Sequence, residues 1–221
     1  MSLLLMRLAG PLQSWGTQSR FGHRDTGTEP SRSGVVGLLC AALGRPRDEP
    51  LDDFLPLVMA VRVDREGTVL RDYHTAQQVR RADTTKSPQE TVLSERFYLA
   101  DADFLVGLAG DAAFLATLDA ALRQPVWPLA LGRKACVPSL PLALGVVEGD
   151  LLETMKRYPR CVRVGERPRE ALRYVTEVPH GTGEARADVP LSFVSRDRRF
   201  AVRHVRVEFH PWNPPEALPC T

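Results

Sequence analysis

The chain has 221 residues, of which 43% are apolar, and its 29 basic and 27 acidic side chains leave a net charge of only +2. An ordinary apolar fraction with nearly balanced charge excludes an intrinsically disordered chain, and no apolar run approaches the roughly 20 residues of a transmembrane helix. Because Arg7 interrupts the first apolar run, the N-terminus is predicted to be a strand and not a signal peptide, and we expect a cytoplasmic protein.

The chain begins with a short apolar run, Leu3–Leu8, which predicts a buried strand that stops at a Gly-Pro turn. Residues 10–34 follow, rich in Gly, Ser, Thr and Arg and without periodicity, which indicates a long loop. Long ordered loops are usually functional. Helical spacing then predicts a helix over Gly34–Leu43, with Ser33 as its N-cap and Gly44 as the glycine that ends it.

The next part of the chain contains two short apolar segments and a polar excursion. Leu57–Val63 is typical of a strand, and the turn residues after it predict that Thr68–Tyr73 is the second arm of a hairpin. Thr75–Glu95 is polar and has few large apolar anchors. We expect this segment to be an excursion away from the core, in the form of a hairpin.

Three further elements complete the first part. Phe104–Ala109 predicts a strand, Asp111 is the expected N-cap of a helix that runs to Leu122, and Leu142–Val147 predicts a last strand. The order strand, helix, strand, strand, helix, strand predicts an α+β fold with a ferredoxin-like, RRM-like palm (βαββαβ) over residues 1–148. That fold carries RNA-binding domains and enzymes alike, so it does not decide the function.

Residues 149–221 predict a smaller, mostly β C-terminal lobe, with a short helix over Leu151–Arg157 and strands over Tyr174–Val178 and Phe200–Phe209. The four cysteines, Cys40, Cys136, Cys161 and Cys220, are far apart, a spacing that favours buried thiols over a zinc site. The sequence contains none of the common phosphate-loop, dinucleotide or zinc-protease motifs, so no cofactor is expected.

The charge is unevenly distributed. Residues 1–47 carry six basic and two acidic side chains, and residues 131–210 carry fifteen basic and ten acidic ones. A nearly neutral protein can therefore present a basic face. The acidic surplus falls elsewhere, in residues 48–53 and 101–119.

Two segments combine cations with features that suit a phosphate. Arg32 and Ser33 lie at the predicted helix start, where backbone N–H groups are unpaired, although a plain N-cap with an exposed arginine fits equally well. Arg133 and Lys134 follow Gly132 in a loop, where they either hold an RNA backbone or form a solvated turn.

Two other segments offer aromatic or titratable groups. Gln13, Ser14 and Trp15 follow the first strand, and an exposed Trp15 would stack on a base, whereas a buried one would anchor the loop. His74 lies at the exit of a predicted strand, where it would serve as a general base, as an RNA contact together with Thr75, or as a structural residue.

Four segments in order, residues 8–16, 30–39, 71–75 and 131–136, resemble the Cas-five-type subunits of type I-E CRISPR surveillance complexes, known as Cascade. The resemblance extends from Leu3 to about Val147 and is weakest in the C-terminal lobe. It implies a palm with an inserted thumb at about residues 77–98, in which Arg80, Arg81, Lys86 and Arg96 are available for phosphates.

The resemblance also implies the partners. Family members cap the 5′ handle of the CRISPR RNA and contact the backbone and large subunits of the complex, with no membrane and no small-molecule substrate. Type I-C relatives cut the RNA precursor, but in type I-E complexes another subunit does so, which implies a non-catalytic role here.

The favoured hypothesis is an RNA-binding subunit whose contacts converge on one basic groove. The predicted contacts are Gln13, Ser14, Trp15, Arg24, Arg32, Ser33, His74, Thr75, Arg80, Arg81, Lys86, Arg96, Arg133 and Lys134. The alternatives are a metal-independent endoribonuclease that uses His74 as its base, and an adaptor that does not contact RNA.

Overall fold

A computed structural model describes residues 1–19, 22–79, 89–162, 169–212 and 218–219 as a mixed α+β protein made mostly of strands. The helices are α1 (Arg32–Leu43), α2 (Ala112–Arg123) and α3 (Leu151–Arg157). The strands are β1 (Ser2–Ala9), β2 (Leu12–Gln13), β3 (His23–Arg24), β4 (Val58–Arg65), β5 (Thr68–Val79), β6 (Gln89–Ala100), β7 (Asp103–Gly110), β8 (Ala143–Glu148), β9 (Cys161–Val162), β10 (Ala171–Val178), β11 (Glu184–Ser192), β12 (Arg199–Pro211) and β13 (Leu218–Pro219).

Seven strands form one antiparallel sheet in the order β11-β12-β10-β4-β7-β1-β8. Successive side chains of β1 point to opposite faces, as the period of a strand requires. Leu4, Met6 and Leu8 pack in the larger core, which also contains buried residues of α1 and α2, and Leu5 packs with Met155 of α3 on the other face. Both faces of the central strands are therefore covered by helices.

The two long helices begin and end at residues suited to those positions. Asp111 caps α2 by accepting a hydrogen bond from the Phe114 backbone N–H, which confirms the predicted N-cap. Gly44 ends α1 with φ +69°, also as predicted. The N-cap of α1 is Ser31 and not Ser33, because the Ser31 hydroxyl accepts the bond from Gly34 N–H and the helix starts two residues before the predicted position.

The prediction that Thr68–Tyr73 pairs with the preceding strand is wrong. β4 lies between β7 and β10 in the main sheet, whereas β5 pairs along its length with β6. The hairpin of β5 and β6 forms a second sheet with β2 and β3. The hairpin starts at Thr68 and ends at Ala100, whereas the sequence predicted an excursion over Thr75–Glu95. The excursion therefore begins earlier and ends later than predicted.

Three strands after residue 148, β10, β11 and β12, continue the main sheet, since β10 pairs with β4 over Arg173–Thr176 and β12 pairs with β10 and β11. The other two, β9 and β13, pair with each other in a separate sheet. Local patterns reveal the strands themselves but not the pairing of β10 with β4, which joins segments more than 100 residues apart. Among the described residues, no helix has both the length and the apolar character to cross a bilayer.

Candidate nucleic-acid interface

A groove of about 1250 Å³ lies between the loop after β1, the helix α1, the loop before β8 and the start of β12. It is larger than the roughly 300–1,000 Å³ of a typical small-molecule pocket. Among the described residues, seven cationic side chains and one carboxylate, Asp25, line it. The cations are Arg24, Arg45, Arg47, Arg96, Arg133, Lys134 and Arg198.

Half of the predicted contact residues line this groove. They are Ser14, Trp15, Arg24, Ser33, Arg96, Arg133 and Lys134. They come from three separate segments and the β6 arm of the hairpin, which the fold brings to one place. Six of the seven lining cations come from residues 1–47 and 131–210, the two segments with an excess of basic charge.

Gln13 and Trp15 are buried, and this corrects their prediction as RNA contacts. Gln13 is fully inaccessible, and its amide donates to the carbonyls of Leu8 and Ala102 at 3.0 and 2.8 Å. Its side-chain oxygen accepts the Trp15 indole N–H at 3.0 Å, and the Trp15 ring is 1% exposed. With their polar groups paired inside the protein, both side chains anchor the loop and have no face left for a base.

Arg32 is also placed differently from the prediction. Its guanidinium is bound at 2.7 Å to both carboxylate oxygens of Glu177, and it donates at 3.0 Å to two carbonyls of the segment before β4. The Arg32 backbone N–H donates to Asp188, at 2.8 Å. Arg203 binds Glu177 and Asp188 as well. Arg32 therefore joins α1 to the C-terminal strands and is not free for a phosphate.

Arg133 lines the groove, but most of its donors are engaged. Its guanidinium donates to the Phe97 carbonyl at 3.0 Å and to the carbonyls of Arg24 and Asp25 at 2.8 and 3.0 Å, and it lies 4.6 Å from the centre of the Tyr98 ring. It thus holds β3 beside β6. This fixes Arg24 next to Arg96, its partner in the strand register.

Four cations of the groove are exposed and have no ion pair within the described ranges. They are Arg24, Arg47, Lys134 and Arg198. Arg45 differs, because Asp53 holds it at 2.6 Å and its guanidinium lies over the Phe54 ring. Arg45, Arg47 and Arg198 were not predicted as contacts. All three belong to segments with an excess of basic charge, and this excess is the sequence signal that could have identified them.

The single carboxylate of the groove is turned toward its own loop. Asp25 accepts hydrogen bonds from the Thr17 and Gln18 backbone N–H groups at 3.2 and 3.1 Å and from the Ser19 hydroxyl. Partial burial raises the pKa of Asp25, but the bonds from Ser19, Gln18 and Thr17 outweigh it and lower the pKa overall. Because these loop donors bind the carboxylate of Asp25, its negative charge reduces the positive potential of the groove less.

His74 and Thr75 lie on β5 and are not among the lining residues of the groove. The His74 imidazole is 3.6 Å from the Asp72 carboxylate, and both side chains are 40% exposed. Arg80, Arg81 and Lys86 fall outside the described residues.

The three cysteines among the described residues are free thiols. Cys40 and Cys136 are buried and Cys161 is half-buried, while Cys220 lies outside the described residues. Burial raises the pKa of the Cys40 thiol to about 11, so this groove residue is protonated at neutral pH and is a poor nucleophile. No group of three or more His, Cys, Asp or Glu side chains in the part of the chain that the structure describes is arranged to hold a metal ion.

Comparison with known proteins gives a consistent result. A family model described as "CRISPR-associated protein (Cas_Cas5)" matches residues 3–206. The "CRISPR system Cascade subunit CasD" of Escherichia coli (strain K12) is 38% identical over 163 residues, which is 67% of this chain and 73% of that protein. A solved "CRISPR RNA-guided surveillance complex" contains a chain that is 37% identical with a TM-score of 0.82, covering 95% of this chain and 90% of its own. A "Crystal structure of Cas protein" is 45% identical with a TM-score of 0.76, covering 95% of both chains. The chain therefore belongs to the CRISPR-associated Cas_Cas5 family.

Proposed function

We propose that this protein is a non-catalytic CRISPR RNA-binding subunit of a type I surveillance complex, and that the basic groove holds the RNA backbone. The observation that carries the proposal is that, in the part of the chain that the structure describes, seven cations and one carboxylate converge on one groove. Phosphate contacts supply most of the affinity of nucleic-acid binding and position the chain. The similarity to a Cascade subunit and to a chain of an RNA-guided complex supports RNA as the ligand.

We place the 5′ handle in the groove, with the backbone and large subunits of the complex on either side of this protein. The hairpin of β5 and β6 is the thumb, and its described arms, Thr68–Val79 and Gln89–Ala100, overlap both ends of the segment that the family resemblance implies, about residues 77–98. The thumb would close over the RNA strand from the side of the groove where Arg96 of β6 lies opposite Arg24 of β3.

The architecture fits this role. We infer a ferredoxin-like palm over residues 1–148, because β4, β7, β1 and β8 are adjacent in that order, and α1 and α2 share a core on one face. We infer a C-terminal lobe over residues 149–221, whose strands β10, β12 and β11 extend the palm sheet beyond β4.

We expect the double substitution Arg24→Ala, Lys134→Ala to make RNA binding less dependent on salt. Each phosphate contact to a single strand contributes about 0.7 to the slope of log K against log salt, so the loss of two contacts should reduce the slope by about 1.4. Filter binding of the guide RNA at several salt concentrations measures this change.

The control for that experiment removes two cations elsewhere. Arg157 and Arg206 are exposed and do not line the groove, and their double substitution to alanine should leave the slope unchanged. Footprinting of the bound guide locates the contact, and we expect protection of its 5′ nucleotides that weakens in the groove variant alone. An unchanged slope together with an unprotected 5′ end would favour an adaptor that does not touch RNA.

The same material tests whether the protein cuts RNA. His74 has a carboxylate nearby but does not line the groove, so we expect the protein to bind precursor RNA without cleaving it in metal-free buffer. Gel analysis of end-labelled precursor after prolonged incubation measures this. Discrete fragments that disappear with His74→Ala would show an endoribonuclease instead.

A further inference from the structure

We propose that Trp127 and Phe200 form a base-stacking site in the basic groove, which makes the groove specific for unpaired nucleotides. This inference rests on the proposed RNA-binding function. Both rings line the groove, and they are 43% and 42% exposed. The other two tryptophans, Trp15 and Trp212, are 1% and 8% exposed.

Trp127 is held in place by its backbone. Its N–H donates to the Ala41 carbonyl at 3.2 Å, and the N–H of Val126 donates to the Ala42 carbonyl at 2.9 Å. These carbonyls belong to the last turn of α1, where carbonyls lack a helical partner. A Cβ on Gly44 would lie 2.6 Å from Val126, so the glycine at the helix end also permits this approach. The indole is thus exposed on a fixed backbone.

Phe200 is fixed in a different way. It is the second residue of β12 and pairs in register with Pro190 of β11. Two exposed aromatic rings from separate elements therefore face one groove. An aromatic side chain that stays exposed forgoes part of the free energy that its burial would contribute. Two such rings among cations in one groove are typical of a surface that a bound ligand covers.

The charges around the rings decide which ligand fits. Arg198 precedes Phe200 by two residues, and Arg47 follows the end of α1 against which Trp127 is anchored. A cationic groove with aromatic platforms is the arrangement by which proteins bind single strands, since every unpaired base offers a π face. In an A-form duplex the bases are stacked on each other and are not available to a side chain. The groove therefore selects single-stranded RNA.

The test uses the intrinsic fluorescence of the full chain. Titration with single-stranded oligouridylate should change the tryptophan emission and saturate, because Trp127 is the tryptophan open to a base, whereas an RNA duplex of equal length should bind more weakly and leave the emission unchanged. Trp127→Leu and Phe200→Leu should each weaken oligouridylate binding about 5- to 150-fold, with the salt slope unaltered. Trp127→Phe should keep most of the affinity because it retains a ring.

The matched control is Phe209→Leu. Phe209 lies on the same strand as Phe200, is 68% exposed and does not line the groove, so its variant should bind like the parent. Parent-like binding by folded Trp127→Leu and Phe200→Leu, or equal binding and equal fluorescence change with duplex, would overturn the stacking site and leave the proposed function standing. Failure of the parent to bind either RNA would overturn both.

Discussion

Replacing Arg62 with methionine is expected to lower the free energy of unfolding by about 3–5 kcal/mol, the range for breaking a buried ion pair from one side. Arg62 lies on β4 and is fully inaccessible. Its guanidinium binds Asp64 with two bonds, at 2.5 and 2.9 Å, and Asp64 is 5% exposed. Without the arginine, this buried carboxylate would lose both of its bonds to Arg62 and the strongest positive charge acting on it.

Arg62 also completes the end of α3. It donates to the carbonyls of Met155, Tyr158 and Pro159, which lie in the last turn of the helix and just after it, and its guanidinium stacks 4.8 Å from the Trp212 ring. Carbonyls at a helix end need such external donors. The substitution therefore removes several hydrogen bonds at once and weakens the attachment of α3 to the sheet, which then depends on the apolar packing of Met155.

Urea denaturation followed by circular dichroism measures the loss, and a double-mutant cycle identifies its cause. In the Arg62→Met background, the change Asp64→Asn should recover part of the stability because it removes a buried negative charge that has lost its main partner. Arg62→Lys keeps the charge but not the fork of donors, and we expect an intermediate value. A loss below about 1 kcal/mol in Arg62→Met would contradict the importance of this pair.

The pH dependence of that variant follows from Asp64. Burial raises the pKa of Asp64, and the charge and hydrogen bonds of Arg62 counteract the rise. Removing Arg62 therefore raises this pKa further above its unfolded value of about 3.9. A carboxyl with a raised folded pKa stabilises the fold when protonated, fully below the unfolded pKa, and loses that contribution as the pH rises through the folded pKa. The difference between variant and parent should consequently shrink toward acid pH.

Much of the fold could be predicted because its signals are local. The apolar run of β1, the helical spacing of α1 and α2, and the short helix α3 each depend on neighbouring residues, and the structure confirms all four. Pairing partners are not local. Nothing near Thr68 indicates that β5 pairs with β6 instead of β4, and the polar face of the hairpin is compatible with either partner.

The candidate site was predictable in its charge and not in its individual contacts. An arginine at a helix start suits a phosphate, but Arg32 meets a carboxylate 145 residues away in the sequence, which only the fold brings to it. Trp15 becomes buried because Gln13 offers its side-chain oxygen to the indole. By contrast, Trp127 stands among apolar and proline residues that suggest a buried loop, and its exposure becomes evident only with the groove.

Gly132 connects the fold to the groove, and Gly132→Ala is expected to destabilise the protein by about 4 kcal/mol or more. Gly132 has φ +92°, and a Cβ there would lie 1.7 Å from the Ser14 carbonyl oxygen. That carbonyl cannot turn away easily, because the Ser14 N–H is bound to the Leu131 carbonyl at 3.0 Å, which fixes the two chains side by side. An alanine must therefore push the two loops apart.

The variant should also lose RNA affinity, since Arg133 and Lys134 follow directly on the displaced backbone. Gly181→Ala is the matched control, because Gly181 has a similar φ of +83° but no atom within 4 Å of the added Cβ. It should cost only the strain of the left-handed conformation, about 1–2 kcal/mol, and bind RNA like the parent. Urea denaturation of both variants, with RNA binding measured under conditions where each is folded, separates strain from collision. Equal losses of stability would mean that the close approach of the two loops at Gly132 is not maintained in solution.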